Sequence, residues 1–172
     1  MQKLFSYPIF IDDLSSAARK YKIEASPKDL VYLTEVLKVP AVKSCQSNIN
    51  LQYDKRAHRL DVQGHVSAII TQESVISLEL FDKTYTGDFS LFFDTTATYK
   101  DIRELDEEMG DEIPDIIIGG KIDLGDITIE QIALLIDDYP RQEGEVFSFK
   151  SEFDEETTQA SNPFNVLKKL KK

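Results

Sequence analysis

The stretch Gly119 to Arg141, GGKIDLGDITIEQIALLIDDYPR, constrains the fold more than any other part of the chain. Ile129, Ile132, Ala133 and Ile136 recur at helical spacing. Ile127, Leu134 and Leu135 widen that face until most of the circumference is apolar. A helix apolar nearly all round is a buried one, so the pattern predicts a buried helix over about 126–138 as the centre of the core. Gly119-Gly120 and Gly125 mark its start and Pro140 its stop. Asp126 or Thr128 is placed to cap it, and Thr128 with Gln131 has the spacing of a capping box. Asp137 and Asp138 fit badly in a last turn, where the helix dipole disfavours a negative charge by about 0.3–1 kcal/mol. They read either as solvated carboxylates near Arg141 or as a surface kept for a partner.

A chain of 172 residues is long enough to bury a sizeable core in one domain. Residues 1–150 read as a single α+β domain. Residues 151–172 read as a flexible acidic linker ending in a short basic helix capped by Asn162. The one cysteine, Cys45, rules out an intramolecular disulfide and any multi-cysteine zinc site. The N-terminal apolar pieces are too short for a signal-peptide core, and no apolar run approaches the roughly 20 residues of a spanning helix. The expectation is a soluble cytoplasmic protein without a membrane partner.

The formal net charge is −11, and it is unevenly spread. Residues 1–70 balance at +3, residues 71–165 at −18, and the last seven residues at +4 from Lys168, Lys169, Lys171 and Lys172. Neutralising a phosphate backbone takes Lys and Arg, so a uniformly acidic chain would avoid nucleic acid. A polarised one can turn its basic N-terminal half and tail towards RNA, or its acidic middle towards a basic protein.

Along the chain, Phe5, Tyr7, Ile9 and Ile11 alternate as a first strand, with Pro8 arguing for an edge position. Tyr21, Ile23 and Ala25 alternate with Lys20, Lys22 and Glu24 as a second. Ser26-Pro27, with Asp29 in the first turn, announces a shorter helix at about 27–38, its core face formed by Leu30, Leu33, Val36 and Leu37. Two long strands follow. Cys45, Ile49, Leu51 and Tyr53 point one way in the first, and Gln46, Asn48, Asn50 and Gln52 the other. Leu60, Val62, Val66, Ala68 and Ile70 face in on the second, and Arg59, Asp61, Gln63, His65 and Ser67 face out. The short loop between them predicts an antiparallel hairpin, and Gly64 suggests a bulge or bend. Ser74 to Leu80 is a further short apolar run. Tyr85, Phe89, Leu91 and Phe93 line one face of the next strand. Tyr99 to Asp115 holds eight acidic residues and reads as an exposed helix or loop. Asp115 to Ile118 reads as a brief strand before the central helix. Strands paired locally, without helices between parallel neighbours, give an α+β fold with a mostly antiparallel sheet, barrel-like closure being left open.

The catalytic inventory is thin. His58 and His65 lie in a turn and on an exposed strand face, without a triad-like neighbourhood. Cys45 is on an inward face, where a packed thiol is the better reading than a nucleophile. Gly119-Gly120-Lys121 lacks the pattern of a phosphate-binding loop. Asp123, Asp126, Glu130, Asp137 and Asp138 raise the alternative of a metal-dependent RNA-processing nuclease. Asp126 and Glu130 share a helix face, but the two later aspartates are two to three turns away. The better-supported expectation is no enzyme, no metal and no cofactor.

Three ordered pieces carry a resemblance. Gly120-Lys121-Ile122-Asp123-Leu124-Gly125, with Glu130-Gln131-Ile132-Ala133-Leu134 and Tyr139-Pro140-Arg141, resembles the signature of the bacterial YceD family, most of all its alphaproteobacterial branch. Gln72-Glu73-Ser74-Val75-Ile76-Ser77-Leu78-Glu79 is similar to the family's Gln-x-Cys-Val-x-Thr-Leu-Glu segment. Asn162-Pro163-Phe164-Asn165-Val166-Leu167 is similar to its C-terminal ending. Ser74 stands where relatives often carry Cys, and Leu80 where Pro is common, so no role of that cysteine can operate here. The resemblance implies a non-enzymatic factor in 23S rRNA accumulation or processing and large-subunit assembly, binding rRNA or a large-subunit ribosomal protein. A protein-interaction adaptor is the further alternative. The candidate partner surface is Asp137, Asp138, Arg141 and the tail lysines Lys168, Lys169, Lys171 and Lys172.

Overall fold

A computed structural model of the chain describes residues 4–96 and 115–146. Met1–Gln142 forms one compact unit and Glu143–Lys172 a second. The elements of the first are β1 (Pro8–Phe10), a 3-10 turn (Ile11–Asp13), β2 (Arg19–Glu24), α1 (Pro27–Leu37), β3 (Ala41–Asp54), β4 (Arg59–Glu73), β5 (Leu80–Asp94), β6 (Asp115–Ile116), β7 (Lys121–Asp123) and α2 (Leu124–Leu135).

The long strands form where apolar and polar residues alternate. β3, β4 and β5 pair antiparallel over almost their whole length, with Cys45 opposite Ala68, Leu51 opposite Val62, and Val62 opposite Leu91. β2 adds antiparallel to β3, and β6 adds parallel to β5. The described sheet runs β2-β3-β4-β5-β6 and stays open, with β2 and β6 at its edges. The fold is thus α+β with a mostly antiparallel sheet. A separate two-stranded ribbon joins β1 to β7, so Pro8 does lie on an edge. Ile49, Leu51, Leu60, Val62, Val66, Ala68 and Ile70, each at most 1% exposed, make the inner face.

α1 begins as its residues demand. Ser26 Oγ accepts from Asp29 N while the Asp29 carboxylate accepts from Ser26 N at 2.8 Å, a complete capping box, with Pro27 in the first turn. Leu33 is fully buried, Leu30 and Leu37 half-buried, and Val36 stays exposed. At its C-terminal end Thr34 Oγ1 accepts from Val42 N at 2.9 Å, tying the helix to the start of β3.

α2 differs from its expected form in three ways. It starts at Leu124 and ends at Leu135, shifted towards the N-terminus, because Asp123 and not Asp126 or Thr128 is the cap. Only one face is buried: Leu124, Ile127, Thr128 and Ile132 pack inward, while Ala133 and Leu134 are exposed. A helix lying on one side of an open sheet has a solvent face, and the extra apolar residues fall on it. Asp137 and Asp138 lie beyond the helix, after an extended Ile136, so the conflict with the dipole does not arise.

One further expectation is corrected, and the apolar run after Gln72 finds its place. Gly64 pairs regularly with Ile49 and Phe89, and the irregularity of β3 lies between Val42 and Ser44 instead. Gly64 is required because the Phe89 ring crosses it; a Cβ there would sit 2.5 Å from Phe89 Cζ. Ser74 to Glu79 is not a strand but the turn from β4 to β5, closed by Ser74 N donating to Glu79 O at 2.9 Å. The acidic run from Tyr99 lies outside the described residues up to Asp115, as does the chain beyond Val146.

Gly125 supplies the sharpest packing test. A Cβ on it would meet the Phe5 carbonyl oxygen at 2.5 Å, and that atom belongs to backbone. Overpacking of this kind costs about 1–3 kcal/mol. Gly125→Ala is expected to lower the urea-derived unfolding free energy by that amount, through a lower midpoint at unchanged denaturant slope, measured by circular dichroism.

Candidate partner surface

The Gly120–Gly125 motif builds a clamp. Asp123 Oδ1 accepts from Gly125 N at 2.9 Å, capping α2, and from Tyr7 N at 2.8 Å. Asp123 Oδ2 accepts from Ser6 Oγ at 2.5 Å. Leu124 N donates to Tyr7 O at 3.0 Å, and Ile11 N to Gly120 O at 2.9 Å. One carboxylate therefore caps the helix and fastens the N-terminal segment across its start. That segment brings Phe5, fully buried, into the core. Gly119 and Gly120 have φ of +70° and +67°, the left-handed region that suits glycine.

The second motif meets the end of the first structurally. Gln72 is buried and its Oε1 accepts from the Tyr85 hydroxyl. Ser74, fully buried, accepts on Oγ from Ile76 N at 3.1 Å and from Ser77 N at 3.3 Å. Val75 N donates to Pro140 O at 2.9 Å, joining this turn to Tyr139-Pro140-Arg141. Lys83 Nζ, on β5, donates to Asp137 Oδ2, and that bond raises the Lys83 pKa above its ordinary value. A third contact fixes α2 on the sheet from below. Thr128 Oγ1 donates to Leu124 O at 2.7 Å, so the buried Ser47 hydroxyl, 2.8 Å away, is the donor to Thr128.

The predicted partner residues are thus dispersed in role. Asp137 is engaged with Lys83. Asp138 and Arg141 are exposed. Lys168, Lys169, Lys171 and Lys172 lie outside the described residues. Asp123, a candidate metal ligand of the nuclease alternative, already spends both its oxygens in the clamp. Among the described residues no three His, Cys, Asp or Glu side chains sit together so as to hold a metal ion. His65 lies across strands from Asp88 and Thr86, with Nδ1 2.7 Å from Asp88 Oδ1 and Nε2 2.9 Å from Thr86 Oγ1. Cys45 is buried, and burial pushes its thiol up to about 11.

The feature that strand-by-strand reading missed is the outer face of the sheet. Register aligns its polar residues into rows. One row runs Lys22, Asn48, His65, Asp88, and the next Lys20, Asn50, Gln63, Ser90. Between the β2, β3 and β4 members of these rows lies an open hollow of about 480 Å³. Shallower hollows continue over Gln52 and Asp61 and over Asp88 and Ser90. The alternation signal marks each of these residues as outward; what it lacks is the register that groups them.

Residues 62–171 match the family model described as large ribosomal RNA subunit accumulation protein YceD. None of the curated proteins and none of the solved structures matches the chain. The matched stretch holds all three motifs and begins within β4, so β1 to β3 lie before it. Among the described residues no helix is long and apolar enough to cross a membrane.

Removing the clamp tests its weight. Loss of an N-cap side chain costs about 0.5–2 kcal/mol, and Asp123→Ala also orphans Ser6 and Tyr7, so the urea-derived stability should fall by the upper end of that range or more. Asp137→Asn should cost no more than about 0.2–1 kcal/mol, the value of an exposed pair, and Asp138→Asn nothing measurable. The thiol gives a pH test. In the folded chain Cys45 keeps its proton up to about 11, while an unfolded cysteine loses it near about 8.5. Iodoacetamide at pH 8 should therefore leave Cys45 unmodified until denaturant is added. Stability should fall as pH rises through that interval, because the unfolded chain gives up the proton first.

Proposed function

The chain belongs to the YceD family, and from that premise we propose that it is a non-enzymatic factor in the accumulation of 23S rRNA and the assembly of the large ribosomal subunit. The observation that carries this reading is the family match over residues 62–171. It acts in the cytoplasm, and within the family it stands with the alphaproteobacterial branch that its motifs resemble. Its partners are rRNA or a basic large-subunit protein.

The local structure supports a scaffold role for the motifs. Asp123, Gly125 and Ser74 are the motif residues with the most distinctive chemistry, and each is accounted for by folding. Asp123 clamps, Gly125 makes room for the Phe5 carbonyl, and Ser74 closes a turn. A factor whose signature residues hold its shape works by what its surface presents. The charge pattern allows two such surfaces. The N-terminal 70 residues balance at +3 and the tail at +4, suited to phosphate, while the acidic middle is suited to a basic protein.

Removal of the gene is expected to lower the 23S to 16S rRNA ratio and to accumulate incomplete large subunits in sucrose gradients. The full chain restores both. Purified protein incubated with rRNA precursors and Mg²⁺ should leave the RNA uncut. An unchanged rRNA ratio in the deletion strain contradicts the reading, and Mg²⁺-dependent products lost on Asp123→Asn would turn it into the nuclease alternative.

A further inference from the structure

We propose that the outer face of β2, β3 and β4 is a docking surface for an unpaired stretch of RNA. The inference rests on the rRNA reading above and deepens it by choosing RNA over protein at this face.

Charge is the first observation. In a chain of net −11, the hollow over β2–β4 is lined by Lys20 and Lys22 and by no carboxylate. Both lysines are exposed, and Lys22 has only a distant pairing, 3.7 Å, with the exposed Glu24. Exposed pairs this long contribute little and yield readily to a phosphate.

Hydrogen-bonding chemistry is the second. Beside the lysines the same hollow presents Asn48, Asn50, Gln63 and His65. Amides offer paired donors and acceptors, the grouping that reads the edges of unstacked bases. Asn50 Oδ1 is shut off from solvent and has no hydrogen-bond donor in the structure. A buried acceptor left unmet destabilises the fold. Imino and exocyclic amino groups of a nucleobase are donors of the type it lacks. A turn of the Asn50 amide towards the amide-lined hollow would bring this acceptor to a ligand, and the contact would then offset the cost.

Size and direction agree. The hollow's volume of about 480 Å³ falls in the range of small-molecule sites and suits one nucleotide at a time. Of the carboxylates of this face, Asp61 and Asp88 flank the hollow on the β4 and β5 side, while Glu24 lies beyond Lys22 at the end of β2. Repulsion keeps a phosphate backbone off that side and runs it along β2, with bases pointing across β3 towards β4. At the end of the same face Arg59, whose Nε donates to Asp61 Oδ1 at 2.8 Å, stacks over Phe92 at 4.3 Å, a flat guanidinium plane for a following base. A basic protein would meet the lysines with like charge.

Lys20, Lys22, Asn48 and Asn50 all precede residue 62, outside the family match. The surface therefore joins residues before the matched stretch to Gln63 and His65 of β4 within it.

The test uses the full 172-residue chain and a fluorescein-labelled oligouridylate 12-mer read by anisotropy. Wild-type binding should weaken steeply with salt. Lys20→Glu with Lys22→Glu should weaken it at least tenfold and flatten the log-log salt slope by about 1.4, two phosphate contacts on a single strand. The charge-matched control, Lys28→Glu with Lys38→Glu on α1, should stay within twofold. Asn50→Ala should weaken binding several-fold while raising the unfolding midpoint, a combination that a purely structural residue would not show. The proposal is overturned if wild type does not bind, if the β2 pair binds as well as wild type with its melting curve intact, or if uridine monophosphate binds as tightly as the 12-mer. It is also overturned if a basic large-subunit protein binds the wild type and is lost with the same pair. A cellular arm separates the two claims. If deletion lowers 23S rRNA and the β2 double variant restores it fully, this surface is wrong and the family role stands. If deletion changes nothing, the family role fails, and the anisotropy still decides the surface.

Discussion

The Asp123 carboxylate holds the structure's most consequential junction. It sits where β7 becomes α2, and it accepts from the helix start, from the Tyr7 amide and from the Ser6 hydroxyl. Hydrogen bonds to a charged acceptor are worth more than neutral ones, and here they close a loop of more than a hundred residues. The segment before β1 is thereby laid across the start of α2. Phe5 enters the core at that point, and Gly125 is glycine because the Phe5 carbonyl touches it. The ribbon of β1 and β7 and the bond from Ile11 N to Gly120 O extend the same seam.

From this junction the placement of α2 follows, and from α2 the two faces of the sheet. Ser47 and Thr128 meet in the core under the helix, and Leu135 lies against Gly87 of β5, where a Cβ would stand 3.1 Å from its methyls. Burying apolar area on one face leaves the other to water and to partners. On that other face the strands present amides, lysines and hydroxyls in register. The family motifs within the described residues thus secure the inner side, and the proposed RNA contact is made by the outer side.

What was legible in the residues was local. The alternation of β3 and β4 predicts which side chains point inward, and Ser26, Pro27 and Asp29 predict the start of α1 to the residue. What was illegible was long-range. The true cap of α2 is Asp123, because its other partners come from residues 6 and 7. Gly64 answers to Phe89 on a neighbouring strand, not to a bulge in its own. Asp137 looked misplaced only while it was counted inside the helix; its partner is Lys83, 54 residues earlier. The outer face shows the same division. Lys20, Asn50 and Gln63 each read as outward, but their alignment into one row is created by strand pairing.

In the proposed division of labour, the described signature motifs hold the scaffold while the outer sheet face meets RNA. Ultraviolet crosslinking of large-subunit rRNA to the full chain, with the attached peptides located by mass spectrometry, addresses it most directly. Crosslinked peptides are expected from β2 to β4, between Arg19 and His65. Crosslinks confined to the α2 surface and the Tyr139–Arg141 turn, with none on β2 or β3, would contradict it.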